Sequence, residues 1–280
     1  MMATPISRET LLHVVRQLPA SPHILAQLGG LLVDPNSDMS EITALLKCDT
    51  ALTARIIRIS NSALYNTGQS YTSLDEALAR VGYNEVYRLT GLAAVAQVSD
   101  RDLASYGISG PRLRENSLLT ALISETLAGF SAVEPRMAYT AGLLRSVGKI
   151  ALDRLAGDCG PAGKRDVNRT DGVAAWEREL LDMTNGEAAA IILTEWRFAA
   201  ATVAGIRDHY LLRPSSAPLA NLLNLAAGAA ERAGHALPGE TGYWELTPEK
   251  HAVAGVKPED VDEATQRALA LFGPLRAAVA

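Results

Sequence analysis

The stretch Thr50–Tyr65 reads TALTARIIRISNSALY, and its spacing decides the fold class. Leu52, Ile56, Ile59 and Ala63 recur at intervals of four, three and four, which is one face of an α-helix. Arg55 and Arg58 fall toward the opposite, solvated side. No β alternation competes with this period, here or elsewhere in the chain.

Working outward, Ser73-Leu74-Asp75-Glu76 has the capping-box pattern, with the Ser oxygen placed to accept the N3 amide and Glu76 placed to reach back. The helix it opens carries Leu74, Leu78 and Val81 inward, and Gly82 is placed to end it. Another begins near Asn84 and turns Val86, Leu89, Ala93 and Ala96 inward. Gly107, Gly110 and Pro111 interrupt the period between Asp100 and Pro111, which predicts a subdomain boundary. Two Ala-rich apolar helices, 113–130 and 138–155, come next, then a polar loop over 159–172. Further helices are expected at about 173–183, 186–196, 199–212 and 217–234. Residues 235–256 are broken by Pro238, Gly239, Gly242, Pro248 and Gly255. Pro258-Glu259-Asp260 opens a last helix to about Phe272, with proline in the first turn and acids at the positive dipole end. The prediction is an all-α chain in two helical subdomains, 8–107 and 111–280.

Bulk properties narrow the function. With 280 residues, 48% of them hydrophobic, a large core is affordable. The formal net charge of −5 and the absence of basic runs argue against direct nucleic-acid binding. The N-terminus is too short and polar for a secretory signal, and the longest apolar runs are about half a membrane span. Cys48 and Cys159 form no CxxC or Cys–His cluster, the usage of a reducing cytosol. A cytoplasmic protein with no cofactor is the expectation. P-loop, GxGxxG, HExxH and GxSxG patterns are absent. His13, His23, His209, His235 and His251 each lack a second His or Cys at metal-ligand spacing. Asp208-His209 is the one adjacent acid–imidazole pair.

The first half carries a specific series of motifs. Leu18-Pro19-Ala20-Ser21-Pro22 is a double-proline turn between helices. Asp34-Pro35-Asn36-Ser37 closes one helix before Ser40-Glu41-Ile42 opens another. Cys48-Asp49-Thr50-Ala51-Leu52 then leads to Asn61-Ser62-Ala63-Leu64-Tyr65, and later to Ser73-Leu74-Asp75-Glu76-Ala77 and Val81-Gly82. This order resembles the HDOD family, a helical relative of the HD phosphohydrolases and the HD-GYP cyclic-dinucleotide phosphodiesterases. The resemblance covers about residues 8–235 and implies an HD-like bundle with an N-terminal helical subdomain packed against it. Thr50 stands where the family often has proline, at a helix start that suits either. The Asn61-Ser62 pair reads equally as a helix C-terminal cap or as a partner-facing pair.

The resemblance also locates where the metal chemistry of active HD proteins would reside. Tyr139-Thr140-Ala141-Gly142-Leu143-Leu144-Arg145-Ser146-Val147-Gly148-Lys149 follows the segment that names the superfamily, with Arg145 and Ser146 in place of the His-Asp pair. A guanidinium stays protonated and repels a metal ion, and Ser146 is a weak neutral ligand. Asn116 stands at another histidine position, where an amide is the poorer ligand. Asn185, in Asn185-Gly186-Glu187, takes a third. Asp208-His209 keeps one imidazole, and in Leu223-Asn224-Leu225-Ala226-Ala227 an alanine replaces a final aspartate. The resemblance therefore implies a non-catalytic signal-transduction module that regulates other signalling proteins by docking.

Two alternatives stand beside this reading. The vestigial pocket, with Asn116, Arg145, Ser146, Lys149, Asn185, Glu187, Asp208 and His209, could hold a nucleotide or cyclic dinucleotide. It could also be rebuilt as a phosphohydrolase on Asp208, His209 and Glu187; the preferred reading of the old cavity is that a salt-bridge network of Arg145, Lys149 and Glu187 fills it. The expected partner surface is the Pro19–Pro22 turn and the face bearing Arg55, Arg58, Asn61 and Tyr65.

Overall fold

The computed structural model describes residues 6–19, 21–32, 37–62, 64–65, 68, 70–166, 168–211 and 217–279. Ala20, the Asp34-Pro35-Asn36 turn and Ala63 lie outside the described residues, as do the side chains of Pro22 and Arg80.

Local chemistry sets the first helices. Helix α1 (Arg8–Val15) is capped by Ser7, whose Oγ accepts from the Thr10 amide at 3.1 Å. Helix α2 (Ser21–Leu31) takes Pro22 in its first turn, where a missing N–H costs no bond. Asp38 and Asp49 cap α3 (Met39–Lys47) and α4 (Thr50–Ser60). Ser73 caps α5 (Leu74–Val81), and Gly82, at φ +80°, ends it as the spacing predicts. The Glu76 carboxylate accepts from the Thr72 amide at 3.0 Å, one residue before the amide a standard capping box uses. Helix α6 (Tyr83–Val98) runs to the turn that precedes Gly110.

Beyond the turn come α7 (Gly110–Ala128), α8 (Pro135–Leu144) and α9 (Val147–Gly157). The apolar run at 138–155 reads as one helix by period, yet it is two. Arg145 ends α8, and Ser146, at φ −100° and ψ 8°, leaves helical geometry before α9 begins. The loop at 159–172 contains a short 3-10 turn at Gly160–Gly163. Helices α10 (Val173–Leu181), α12 (Ala200–Asp208) and α13 (Pro218–Arg232) fall within the expected spans, and α11 (Asn185–Glu195) begins one residue before its own. The broken stretch at 235–256 yields α14 (Pro248–Ala254), and α15 (Pro258–Val279) continues through Pro274, past the predicted stop at Phe272.

The molecule is all-α; among the described residues the β geometry is one isolated bridge between Leu103 and Ile108. Helices α2 and α4 pack on α6, while α8, α13 and α15 surround α7. Helix α1 crosses to pack on α9 and α11. A single core cluster runs from Leu11 to Leu275. Among the described residues no helix is long and apolar enough to cross a membrane.

Two glycines fix the helix spacing that builds the site. A Cβ on Gly142 would overlap the Ala121 backbone, so α8 lies directly against α7. A Cβ on Gly148 would overlap the Asn185 carbonyl oxygen, so α9 lies directly against the start of α11.

Candidate functional site

The break between α8 and α9 aims Arg145 into the bundle, and Lys149 follows it one helical turn later. Both side chains are fully closed to solvent. Two buried cations need buried anions, because moving a charge out of water costs several kcal/mol unless it is paired. The first anion is Glu240, from the Pro- and Gly-broken stretch after α13. Arg145 Nη2 donates to Glu240 Oε2 at 2.9 Å, and Lys149 Nζ donates to Oε1. Tyr210 Oη and Trp244 Nε1 donate to the same carboxylate at 2.7 and 2.9 Å. Burial pushes the Glu240 carboxyl up, but the charges and hydrogen bonds of Arg145 and Lys149 outweigh it and hold the group far below the ordinary carboxylate range.

The second anion is Glu177 on α10. Its carboxylate accepts from Tyr106 Oη at 2.8 Å and from the Asn185 amide and side chain at 2.7 to 3.0 Å. Burial raises its pKa, and the nearby Lys149 charge pulls it back down. Burial conversely lowers the Lys149 pKa, against the pull of Glu240 and Glu177. The interior thus balances two cations with two carboxylates.

The remaining polar contacts lock the Arg145 fork. Nε and Nη2 donate to Asn116 Oδ1 at 3.2 and 2.7 Å, and Asn116 Nδ2 donates to the His235 carbonyl at 2.6 Å. His209 Nδ1 lies 2.7 Å from the Ile206 carbonyl, which accepts and so places the proton on Nδ1. The Nε2 lone pair then faces Arg145 Nη1 at 3.5 Å. Burial, reinforced by the Arg145 charge, pushes the His209 pKa down to about 3. The imidazole stacks near Trp244, with centroids 5.5 Å apart and planes 13° from parallel.

Asn116, Arg145, Lys149 and His209 therefore meet in one buried cluster, and Asn185 joins through Glu177. Ser146 is buried, and its hydroxyl has no hydrogen-bond partner among the described residues. Two expected members are elsewhere. Glu187 accepts from Arg178 on the surface and closes a capping box with Thr184, so it is not the acid of the network. Asp208 pairs with its neighbour Arg207 at 2.6 Å and is partly exposed, outside the buried network that holds His209. The site instead includes Glu240, Tyr210, Trp244 and Glu177. Their signal in the sequence was indirect: a buried Arg and Lys on an apolar segment require acids of similar burial.

The donor set does not fit the metal centre of active HD proteins. The His209 lone pair, the natural ligand electrons, meets a permanent cation, and the position nearest it is filled by a guanidinium. Among the described residues no group of three or more His, Cys, Asp or Glu side chains is arranged to hold a metal ion.

The expected partner surface is largely engaged within the chain. Arg55 donates to Asp100 at 3.1 Å. Asn61 caps α4, donates to the Tyr71 carbonyl at 2.8 Å and accepts from the Tyr71 amide at 2.7 Å, pinning the following loop. Tyr65 Oη donates to Glu85. Arg58 is exposed, and Pro19 is half-buried at the mouth of a cleft.

An all-α bundle with a cationic residue at the heart of an HD-like helix set defines the class: a structural relative of the HD proteins whose centre is an ion-pair network. The chain belongs to the HDOD domain family, whose pattern it matches over residues 18–212. Solved structures share the fold. An HDOD domain protein of unknown function from Geobacter sulfurreducens is 20% identical with a TM-score of 0.66, covering 98% of each chain. A candidate signal transduction protein from Marinobacter aquaeolei VT8 is 19% identical with a TM-score of 0.73, over 99% of this chain and 62% of that one. A candidate phosphohydrolase from Shewanella amazonensis SB2B is 23% identical with a TM-score of 0.63, over 96% and 98%. A curated relative, an uncharacterized protein of Treponema pallidum (strain Nichols), is 21% identical over 83% of this chain. The chain spans 45% of that relative's length.

Proposed function

We propose that this chain is a non-catalytic signal-transduction module that acts by docking to other signalling proteins. The Arg145–Glu240–Lys149 network carries the reading: a fixed guanidinium occupies the polar centre where a phosphohydrolase would need electron-pair donors for a metal-bound water. Its cations are already neutralised, and their side chains are sealed from solvent. A nucleotide in the same centre would have to displace Glu240 from four donors, so docking is favoured over ligand sensing there.

The test has two arms. Elemental analysis of the purified protein, prepared without chelators, is expected to give near-zero transition metal per chain. Phosphodiester hydrolysis is expected at the buffer rate. One or more retained metal ions per chain, or turnover lost on Arg145→Ala, overturns the non-catalytic reading. Affinity capture followed by reconstitution with the purified partner tests docking: a stoichiometric complex supports it, and the failure of every captured protein to rebind sinks it.

A further inference from the structure

Arg145 and Ser146 sit side by side in the break between α8 and α9, and their side chains serve different parts of the interior. Arg145 reaches Glu240 and Asn116. Ser146 lines a separate cavity of about 10 Å³, where the end of α6, helix α7 and the break meet. Val95, Leu113, Leu143 and Ile150 are among its apolar walls.

The polar lining is three serines, one from each element: Ser99 at the C-cap of α6, Ser117 on α7, and Ser146. All three residues are buried. Ser99 Oγ donates to the Val95 carbonyl one turn back, and its oxygen keeps the capacity to accept. Ser146 is the N-cap of α9 yet makes no side-chain cap bond, unlike Ser7, Ser73 and Ser109 at their own helices. Its hydroxyl has no hydrogen-bond partner among the described residues. A buried hydroxyl left in that condition is costly, and buried polar groups in native proteins are paired with protein or with ordered water.

The cavity's volume is about that of one water-sized sphere, and a buried water needs about two to four polar partners. Three hydroxyls meet that need. The neutral lining excludes an ion, which would be buried without a counter-charge. We infer that a single water molecule is bound here, accepting from Ser146 Oγ and donating to the oxygens of Ser117 and Ser99. It supplies the bond that the α9 N-cap hydroxyl otherwise lacks, and it joins α6, α7 and the break at the residue beside Arg145.

The test is a crystal structure of the wild type and of the S117A/S146A variant, at a resolution that shows ordered water, together with thermal unfolding of Ser146→Ala. One water is expected within about 3.2 Å of both Ser146 Oγ and Ser117 Oγ in the wild type. None is expected in the double variant, where one hydroxyl remains, fewer partners than a buried water needs. The sign of the Tm change is an independent readout. A hydroxyl that holds a water loses a bond on Ser146→Ala, so Tm is expected to fall by about 2 °C, whereas removing an orphaned hydroxyl relieves its burial and raises Tm. A wild-type cavity without water, a water retained in the double variant, or a Tm that does not fall with Ser146→Ala overturns the assignment.

Discussion

Arg145 and Glu240 meet at 2.9 Å with neither side chain exposed, on segments 95 residues apart in sequence. This pair, with Lys149, ties the break between α8 and α9 to the stretch after α13. Burying an ion pair gives little net stability over an apolar filling of the same shape, but removing one partner leaves an uncompensated charge. Glu240→Gln is therefore expected to lower unfolding free energy by about 3–5 kcal/mol. A triple variant with Met at 145, 149 and 240 is expected to recover most of that loss. Urea unfolding measures both. A triple variant no more stable than Glu240→Gln alone would show that the ions contribute beyond mutual neutralisation.

His209 gives the protein a pH dependence of known sign. Its pKa falls from the ordinary 6.5 in the unfolded chain to about 3 in the fold. Between those values the unfolded chain holds a proton that the native state does not, so stability falls as pH drops from 6.5 toward 3. The slope from this residue approaches about 1.4 kcal/mol per pH unit within the window. His209→Gln, which keeps an amide toward Arg145, is expected to flatten the curve between pH 6.5 and 4.5. Unfolding midpoints in urea across that range check it; a variant as acid-sensitive as wild type would assign the effect elsewhere.

The helices were legible because their faces and caps are local. Leu52, Ile56 and Ile59 share one face through period alone, and Ser73-Leu74-Asp75-Glu76 announces a helix start within a few residues. The Arg145–Ser146 position was legible by resemblance to the HD segment. The break there was not, since neither residue is a helix breaker and the cause is tertiary: an Arg turned inward to meet a distant acid. Glu240 was hidden for a related reason. It lies between Pro238, Gly239 and Gly242, where no period assigns a side chain to a face. Glu187 misled because its pattern, Thr184-Asn185-Gly186-Glu187, carried a local meaning, the capping box, that outranked the distant one.

The close approach of α9 to α11 makes a sharp packing prediction. At Gly148 a methyl group would overlap the Asn185 carbonyl oxygen, and backbone cannot rotate away as a side chain can. Gly148→Ala is expected to cost about 1–3 kcal/mol, at the level of other overpacked sites. It would also move Asn185 from Glu177 and Lys149 from Glu240, since Gly148 lies beside both. Thermal unfolding should show the loss. Gly157→Ala, at the open end of the same helix with no neighbour within 4 Å, is the control and should stay within about 1 kcal/mol of wild type.

Trp244 tests whether the network acts as a unit. Its indole N–H donates to Glu240 Oε2 at 2.9 Å, while its ring packs near His209 and lies 5.3 Å from the Arg145 guanidinium carbon. Trp244→Phe keeps an aromatic face and removes the donor, so the expected cost is about 1.5–3 kcal/mol, the range for a hydrogen bond to a charged group. In the Glu240→Gln background the acceptor is neutral, and the same change should cost markedly less. A double-mutant cycle over the two positions isolates this coupling, because residues that share a bond are expected to depart from additivity. Additive costs would mean that Trp244 contributes through ring packing alone, and that Glu240 is held by Arg145, Lys149 and Tyr210 without it.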